Sequence, residues 1–355
     1  VIPVSDQPYK KVLEKGNVAL AEGAIQAGLR CYFGYPITPQ NEIPEYLSKR
    51  LPEVGGTFLQ AESEVASINM VLGATAVGVR AMTTSSSPGI SLMQEGISFI
   101  AGCQLPAVIV NVQRSGPGLG GIKATQSDYF QATRGGGHGD YRTMVLAPGN
   151  VQEMFDFAAL AFELAEKYRN PVMILADATL GQMKEGVILH HRNPIVQREK
   201  SYALTGSRGR TAHCVRSMYL EGDEQELLNR TLAVKYDLIQ RDEQRHVGYW
   251  LDDAEIVIVA YGTASRISLS AARTAREEGI KVGLFRPTTL WPFPGAALRA
   301  LSDRVKKALV VEMSLGQMVE DVQRFVHEDV DVRLFGRAGG GCQTPGEVLA
   351  KIKEF

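Results

Sequence analysis

The chain has 355 residues, enough for about two domains of roughly 150 residues each. Its 38 basic and 39 acidic side chains leave a formal charge of -1, so no global field recruits nucleic acid or anionic lipid. Residues 1–10 lack a basic stretch followed by an apolar core, and no apolar run approaches about 18 residues, so a cytoplasmic protein without membrane spans is expected.

In chain order, the small-residue stretch 16–28 predicts a helix stopped by Gly28, and 30–33 a strand. The strand runs into Gly34-Tyr35-Pro36-Ile37-Thr38-Pro39, where two prolines hold the backbone extended. Thr38 can cap the next helix, with Pro39 at its first position and Glu42 in its first turn, or it can present its hydroxyl to a ligand. Residues 56–60 read as a short strand. The stretch 60–73 reads as a core helix opened by Glu62 and Glu64, with Val65, Ile68, Val71 and Leu72 at helical spacing and Ala66, Gly73, Ala74 and Ala76 allowing close packing. Its two acids either complement the helix dipole or face a ligand at a strand-to-helix crossing.

Strand 80–84 leads through Ser85, Ser86, Ser87, Pro88 and Gly89 into a helix over 90–100, whose free amides suit an anion or a polar ring. Strand 107–112 is apolar enough to be central in a parallel sheet. It ends at Gln113 and Arg114, whose guanidinium can fork onto a ligand carboxylate or hold a structural ion pair. The run Gly116-Pro117-Gly118-Leu119-Gly120-Gly121 fits G-x-G-x-x-G after a strand, but 122–129 lacks the helical periodicity that would receive a pyrophosphate. A flexible active-site loop, continuing to a second glycine cluster at 135–140, is the preferred reading.

Strand 143–146, helix 151–168 and strand 171–177 complete a doubly wound sheet. From 184 to 249 the chain is polar and reads as a connector with a helix over 224–240. Beyond it, strands 255–260, 281–285, 306–311 and 331–334 alternate with helices 264–278, 295–301 and 316–325. The loops 286–294, 312–317 and 336–341 carry no acid/base cluster and read as packing or interface surface. The one around Trp291 suits either a partner or an internal brace. The expected class is α/β with two doubly wound parallel-sheet domains, 1–245 including the connector at about 184–249, and 250–355. Cys31, Cys103, Cys214 and Cys342 form no Cys-x-x-Cys pair and the six histidines show no ligand spacing, so no metal site is expected in this chain. His190 and His191 before Arg192 read as a solvated loop.

The order of Tyr35-Pro36-Ile37-Thr38-Pro39, Glu62-Ser63-Glu64, Thr84 to Gly89 with Gln94-Glu95, and Gln113-Arg114-Ser115-Gly116-Pro117 resembles the α subunit of 2-oxoacid:ferredoxin oxidoreductases. The later motifs at 287–294 and at Glu312 to Gln317 fit the same pattern, so the resemblance covers nearly the whole chain. It implies a thiamine diphosphate pyrimidine-type domain followed by a transketolase C-terminal-like domain. The implied reaction is CoA-dependent oxidative decarboxylation of a 2-oxoacid to acyl-CoA and CO2, with reduction of ferredoxin.

Carried over by position, Glu64 rather than Glu62, counted back from Gly73, matches the acid that hydrogen-bonds N1′ of the cofactor's aminopyrimidine. Thr38 matches a substrate-contacting threonine and Arg114 the arginine that meets the substrate carboxylate. Pro36, Ile37, Ser85, Ser86, Ser87 and Pro88 are implied to line the cofactor. The chain has no Gly-Asp-Gly followed about 30 residues later by Asn-Asn, the signature for the diphosphate and its magnesium. A β subunit is therefore implied to share the thiamine diphosphate, with Mg2+ and a [4Fe-4S] cluster on partner subunits. Further γ and ferredoxin-like subunits, with CoA as co-substrate, complete the implied assembly.

Gly118-Leu119-Gly120, 126–131 and 135–141 resemble the branched-chain members, which favours 2-oxoisovalerate. Lys123 departs from that pattern and, with Gln126, is a substrate-loop candidate, which keeps 2-oxoglutarate as the alternative. Readings from other classes are an NAD-linked dehydrogenase built on the glycine motif, and a non-catalytic structural partner.

Overall fold

A computed structural model describes residues 10–190, 196 and 198–355. Residues 1–9, read above for targeting, and His191 and Arg192, read as loop, lie outside the described residues. The larger sheet has seven strands in the order Thr289–Trp291, Met144–Leu146, Pro171–Asp177, Ala107–Gln113, Ala81–Ser85, Cys31–Gly34, Thr57–Gln60. All neighbours are parallel except the first pair, in which Thr289–Trp291 runs antiparallel to Met144–Leu146. Pro171–Asp177 and Ala107–Gln113 are buried along their whole length, as continuous apolar runs covered on both faces should be.

Helix Val151–Tyr168 starts where Asn150 Oδ1 accepts the Glu153 amide at 2.8 Å and stops where Arg169 turns left-handed at φ 47°. Helix Gly16–Gln26 lies against it so closely that a Cβ on Gly23 would stand 2.4 Å from the Phe155 carbonyl oxygen. Only glycine permits that approach.

The second sheet is ordered Asp331–Gly336, Lys307–Glu312, Ile256–Val259, Val282–Pro287, His246–Tyr249. Its first four strands are parallel, as the alternation implied, and His246–Tyr249 adds an antiparallel edge from within the expected connector. Elsewhere in that connector, Lys184–Val187 pairs antiparallel with Val12–Lys15. Helix Pro345–Lys353 was not anticipated from sequence, although Thr344 and Glu347 form a full capping box at its start. The proline-aromatic loop around Trp291 is an internal brace in part, since Thr289–Trp291 borders the larger sheet and Tyr236 meets Trp291 edge-on at 5.7 Å.

Two expectations are corrected. Thr38 caps no helix: the following one runs Glu42–Glu53 with Asn41 before it, so Pro39 lies outside it, while Glu42 does fall in its first turn. Helix Glu64–Ala76 is only half buried. Ile68, Val71 and Ala76 face the core, whereas Val65 and Val77, with Asn69 and Gly73 between them at intervals of four, line an exposed face.

The two sheets are joined by buried polar bridges. Asp177 accepts from the Thr263 amide at 3.0 Å and the Thr263 hydroxyl at 2.6 Å, and burial raises its carboxyl pKa while those bonds oppose the rise. The Tyr129 hydroxyl donates to Asp321 at 2.6 Å, and Arg286 forks onto Glu153 at 2.6 and 2.8 Å. The Glu312 carboxylate accepts the amides of Gln317 and Met318, at 3.1 and 3.0 Å, at the start of helix Met318–Phe325. That capping role explains why the 312–317 motif carries an acid without acid/base chemistry.

Candidate active site

Strand order reverses between Cys31–Gly34 and Ala81–Ser85: one neighbour continues outward to Thr57–Gln60, the others to Ala107–Gln113 and beyond. A crevice opens outside the carboxyl ends of parallel strands at such a switch. Thr38 follows the first of these strands, Glu64 the outer one, Ser85 ends the third and Arg114 follows the fourth. The fold thus gathers residues that the sequence spreads over 77 positions, from 38 to 114.

Glu64 is buried at the first position of its helix, whereas Glu62 is exposed. Ser63 already caps that helix, its Oγ accepting from the Ala66 amide at 3.2 Å, so the Glu64 carboxylate is not needed for capping. Among the described residues that carboxylate has no hydrogen-bond or ion-pair partner. It lies against Gly89, where an added Cβ would stand 2.5 Å from Glu64 Oε1 and 2.0 Å from Ser85 Oγ. Glycine is therefore required between the carboxylate and the serine hydroxyl.

Helix Ser87–Gly102 begins beside this point. Ser86 donates to the Val112 carbonyl at 2.8 Å, and Ser87 both donates to the Arg114 carbonyl and accepts from its amide, each at 3.0 Å. These two hydroxyls tie the helix to the neighbouring strand, which leaves Ser85 as the serine facing Glu64. The helix start also offers fewer free amides than expected, because Gly89 and Ile90 both donate to the Ser86 carbonyl, at 2.7 and 3.2 Å. Pro88 stands in the first turn, where its missing donor costs nothing.

Arg114 is buried. Its Nη1 donates to the Thr38 carbonyl and its Nη2 to the Leu119 carbonyl, both at 3.0 Å, so it pins the proline loop to the glycine loop. Its Nε is buried without a partner, and among the described residues no carboxylate pairs with the guanidinium. The structural ion pair is thereby set aside. Behind Ser87, Asp128 accepts from Asn111 Nδ2 at 2.8 Å, and burial raises its pKa against the pull of Ser87 and Asn111. The sequence gives Asp128 no role within the loop expected to run on to 135–140; the structure interrupts that loop with helix Tyr129–Arg134, and a carboxyl immediately before it is the signal.

The Thr38 side chain is exposed, with Pro36 exposed and Ile37 half-buried in the same loop. Thr38, Glu42, Ile122, Lys123, Gly340 and Cys342 help line a cavity of about 640 Å³ between the two sheets. Lys123 lays its stem against Gly340, and its ammonium has no partner among the described residues. Gln126 is a correction. It is fully buried, donates to the Tyr261 carbonyl at 2.8 Å and accepts the Met313 amide at 2.9 Å, so its amide group braces the two sheets instead of facing a substrate. The dinucleotide reading is also overturned: Gly121 donates back to the Ser115 carbonyl and Ser115 to the Lys123 carbonyl, so the glycine run folds into a turn, and the next helix, the short Tyr129–Arg134, does not open from it. Among the described residues no three His, Cys, Asp or Glu side chains gather to hold a metal, and no helix is long and apolar enough to cross a membrane.

Residues 22–246 match the family described as "Pyruvate flavodoxin/ferredoxin oxidoreductase, thiamine diP-bdg", and residues 254–348 match "Pyruvate:ferredoxin oxidoreductase core domain II". The chain is 54% identical over 340 residues to the ketoisovalerate oxidoreductase subunit VorB of Methanothermobacter thermautotrophicus, covering 96% of each chain. It is 40% identical to the 2-oxoglutarate synthase subunit KorA of Methanothermobacter marburgensis, covering 95% of this chain and 97% of that one. The 2-oxoglutarate:ferredoxin oxidoreductase of Magnetococcus marinus, solved with 2-oxoglutarate, coenzyme A and succinyl-CoA bound, superposes with a TM-score of 0.89 at 28% identity, over 99% of this chain and 66% of that chain. The matches run through both sheets and every loop of the crevice, and the chain belongs to the α subunits of the thiamine diphosphate-dependent 2-oxoacid:ferredoxin oxidoreductases.

Proposed function

We propose that this chain supplies the aminopyrimidine half of a shared thiamine diphosphate site that decarboxylates a branched-chain 2-oxoacid such as 2-oxoisovalerate. The observation that carries the proposal is the carboxylate of the buried residue Glu64, unpartnered among the described residues and set beside the Gly89 backbone. Burial of the residue with no protein partner for its carboxylate leaves that carboxylate available to a ring nitrogen able to share a proton with it. When bound, the cofactor supplies the nucleophilic carbon and the electron sink of the decarboxylation. Glu64 holds and exchanges the proton at N1′ of its aminopyrimidine, with Ser85, Pro36 and Ile37 as the adjoining walls and Ser86, Ser87 and Pro88 keeping that wall in place. Thr38 and Arg114 orient the 2-oxoacid, Arg114 keeping Nε and a second N–H on each of Nη1 and Nη2 uncommitted as donors for its carboxylate.

The diphosphate, Mg2+ and a [4Fe-4S] cluster belong to partner subunits, a β subunit with γ and ferredoxin-like chains, and ferredoxin takes the electrons. Tyr35, Leu59, Val65 and Leu92 remain exposed near the carboxyl ends of the strands, an apolar rim suited to the β subunit's cover. We place the division of the chain at about residue 245, with the strand Thr289–Trp291 lent back to the first unit. Isothermal titration of the isolated chain with thiamine diphosphate and Mg2+ is expected to show no submicromolar binding. Binding that tight would mean that this chain holds the diphosphate itself.

Substrate choice rests on the 54% identity to the ketoisovalerate relative against 40% to the 2-oxoglutarate one. Lys123, exposed on the cavity beside Thr38, favours the second reading, 2-oxoglutarate, because its ammonium could meet a distal carboxylate. Initial rates on the assembled complex decide it. The expected result is a kcat/KM order led by 2-oxoisovalerate and unchanged within about twofold by Lys123→Ala. A 2-oxoglutarate preference lost in that variant reverses the assignment. Arg114→Lys, which keeps the charge but loses the fork, is expected to raise KM for the 2-oxoacid roughly tenfold or more while leaving KM for CoA in place.

A further inference from the structure

The loop 35–41, which carries Thr38, is held by side chains from four other elements. The Pro39 carbonyl accepts from Asn17 Nδ2 at 2.9 Å and from Gln182 Nε2 at 2.8 Å. The same two amides donate to one oxygen of the Glu42 carboxylate, at 2.9 and 2.8 Å, so each uses both of its N–H groups at this point. Lys15 Nζ donates to the other Glu42 oxygen at 2.9 Å and to Gln182 Oε1 at 3.3 Å. Lys15 ends strand Val12–Lys15, Asn17 stands in the first turn of helix Gly16–Gln26, Glu42 opens helix Glu42–Glu53, and Gln182 closes the short helix Ala178–Gln182.

This meeting is built closely. Asn17 is fully buried and its Oδ1 has no partner among the described residues, so the side chain is placed for what its Nδ2 reaches. A Cβ on Gly181 would stand 2.5 Å from that Oδ1, and glycine there lets the short helix pass against Asn17. The short helix is fixed in turn by Asp177, which accepts the Leu180 amide at 3.1 Å and both the amide and the hydroxyl of Thr263 from the second sheet's first helix. Glu42 decides which way the two amides face, because a flipped amide would set its oxygen against the carboxylate. Burial raises the Glu42 pKa, but the bonds from Lys15, Asn17 and Gln182 outweigh it and leave the carboxyl below its ordinary value, ionised near neutrality.

Thr38 therefore lies between two anchored carbonyls, its own, held by Arg114, and that of Pro39. Its hydroxyl has no hydrogen-bond partner among the described residues. We propose that Asn17, Gln182 and Glu42 are positioning residues for the reaction, clamping the Pro39 carbonyl so that the Thr38 hydroxyl meets the 2-oxoacid at bonding distance. The proposal rests on the reading that Thr38 contacts that substrate. A misplacement of about 1 Å can cost a factor of about 10² in an oriented reaction, so a clamp of this kind has a measurable effect.

The test uses the assembled complex with its cofactor. Gln182 is exposed, and its replacement leaves the core intact. Gln182→Ala and Glu42→Gln are each expected to raise KM for the 2-oxoacid about fivefold or more, with the thiamine diphosphate content of the complex unchanged. Gln182→Glu, which sets a carboxylate oxygen against the Pro39 carbonyl and Glu42, is expected to raise it further. Thr38→Ala raises KM in its own right, and Thr38→Ala with Gln182→Ala is expected to be no worse than Thr38→Ala alone, since the clamp then has no hydroxyl to place. The clamp is overturned if Thr38→Ala raises KM while the Gln182 and Glu42 variants stay within about twofold of wild type. It is also overturned if the losses at 38 and 182 multiply in the double variant, which would make residue 182 a direct contact or a purely structural one. An unchanged KM in Thr38→Ala instead removes the reading beneath the proposal, and the proposal with it.

Discussion

Replacing Glu64 with Gln in the reconstituted complex is expected to lower turnover by a factor of 100 or more, with thiamine diphosphate still bound. The magnitude follows from general acid–base catalysis, to which a positioned proton-transfer group contributes about 10²–10⁴-fold. Glutamine keeps the shape and a hydrogen bond but cannot take up and return a proton. The loss should therefore fall on kcat, and KM for the 2-oxoacid should move little. A second variant isolates position from acidity: Gly89→Ala forces a methyl to within 2.5 Å of Glu64 Oε1 and 2.0 Å of Ser85 Oγ, and so displaces the acid that it leaves intact. It is expected to cost activity of the same order. Steady-state rates with saturating cofactor check both, and unchanged turnover in Glu64→Gln would return the chain to the role of a silent structural partner.

The largest effect on stability is expected at the other end of the same sheet. Arg80 donates through Nε and Nη2 to both oxygens of Glu166, at 2.8 and 2.6 Å, and Lys200 adds a third bond to that carboxylate at 2.9 Å. Both charged side chains of the central pair are almost fully buried, so Arg80→Ala removes the bidentate partner and leaves the interior carboxylate with Lys200 alone. Removing one partner of such a pair costs about 3–5 kcal/mol, which urea unfolding monitored by circular dichroism would register as a lowered midpoint. Burial by itself raises the Glu166 pKa, but the bonds from Arg80 and Lys200 outweigh it and leave the carboxyl below its ordinary value. A depressed pKa means stability that is present above the ordinary glutamate range and lost as pH falls through the folded value. The gap between wild type and Arg80→Ala should accordingly be full near neutrality and narrow in acid, and a gap that widened toward acid would contradict the assignment of charge.

Much of the architecture could be read locally. The helix Val151–Tyr168 and the strand Pro171–Asp177 were bounded correctly because each is specified by its own periodicity and by a cap or stop within a few residues. Glu64 was separable from Glu62 in sequence only through the motif's spacing, and burial of the first against exposure of the second agrees with that choice. Other positions depend on partners far away in the chain. Val65 has helical spacing but lies on the face left in water, which periodicity alone does not identify. Thr38 has a capping residue's chemistry, yet its loop is held by Arg114, 76 residues further on.

What the sequence alone determined was therefore the alternation of strands and helices, the two sheets, and the family to which the order of motifs belongs, since each is written in contiguous stretches a few turns long. Tertiary structure decided which side chains remain free for chemistry. Gln126 and Ser86 are polar residues in the expected places whose hydrogen bonds are already taken, by Tyr261 and Met313 in one case and Val112 in the other. Arg114 Nε and the Glu64 carboxylate are left over. A hydrogen-bonding group is available to a ligand only when folding has given it no nearer partner, and for these residues the possible partners lie on other elements of the fold.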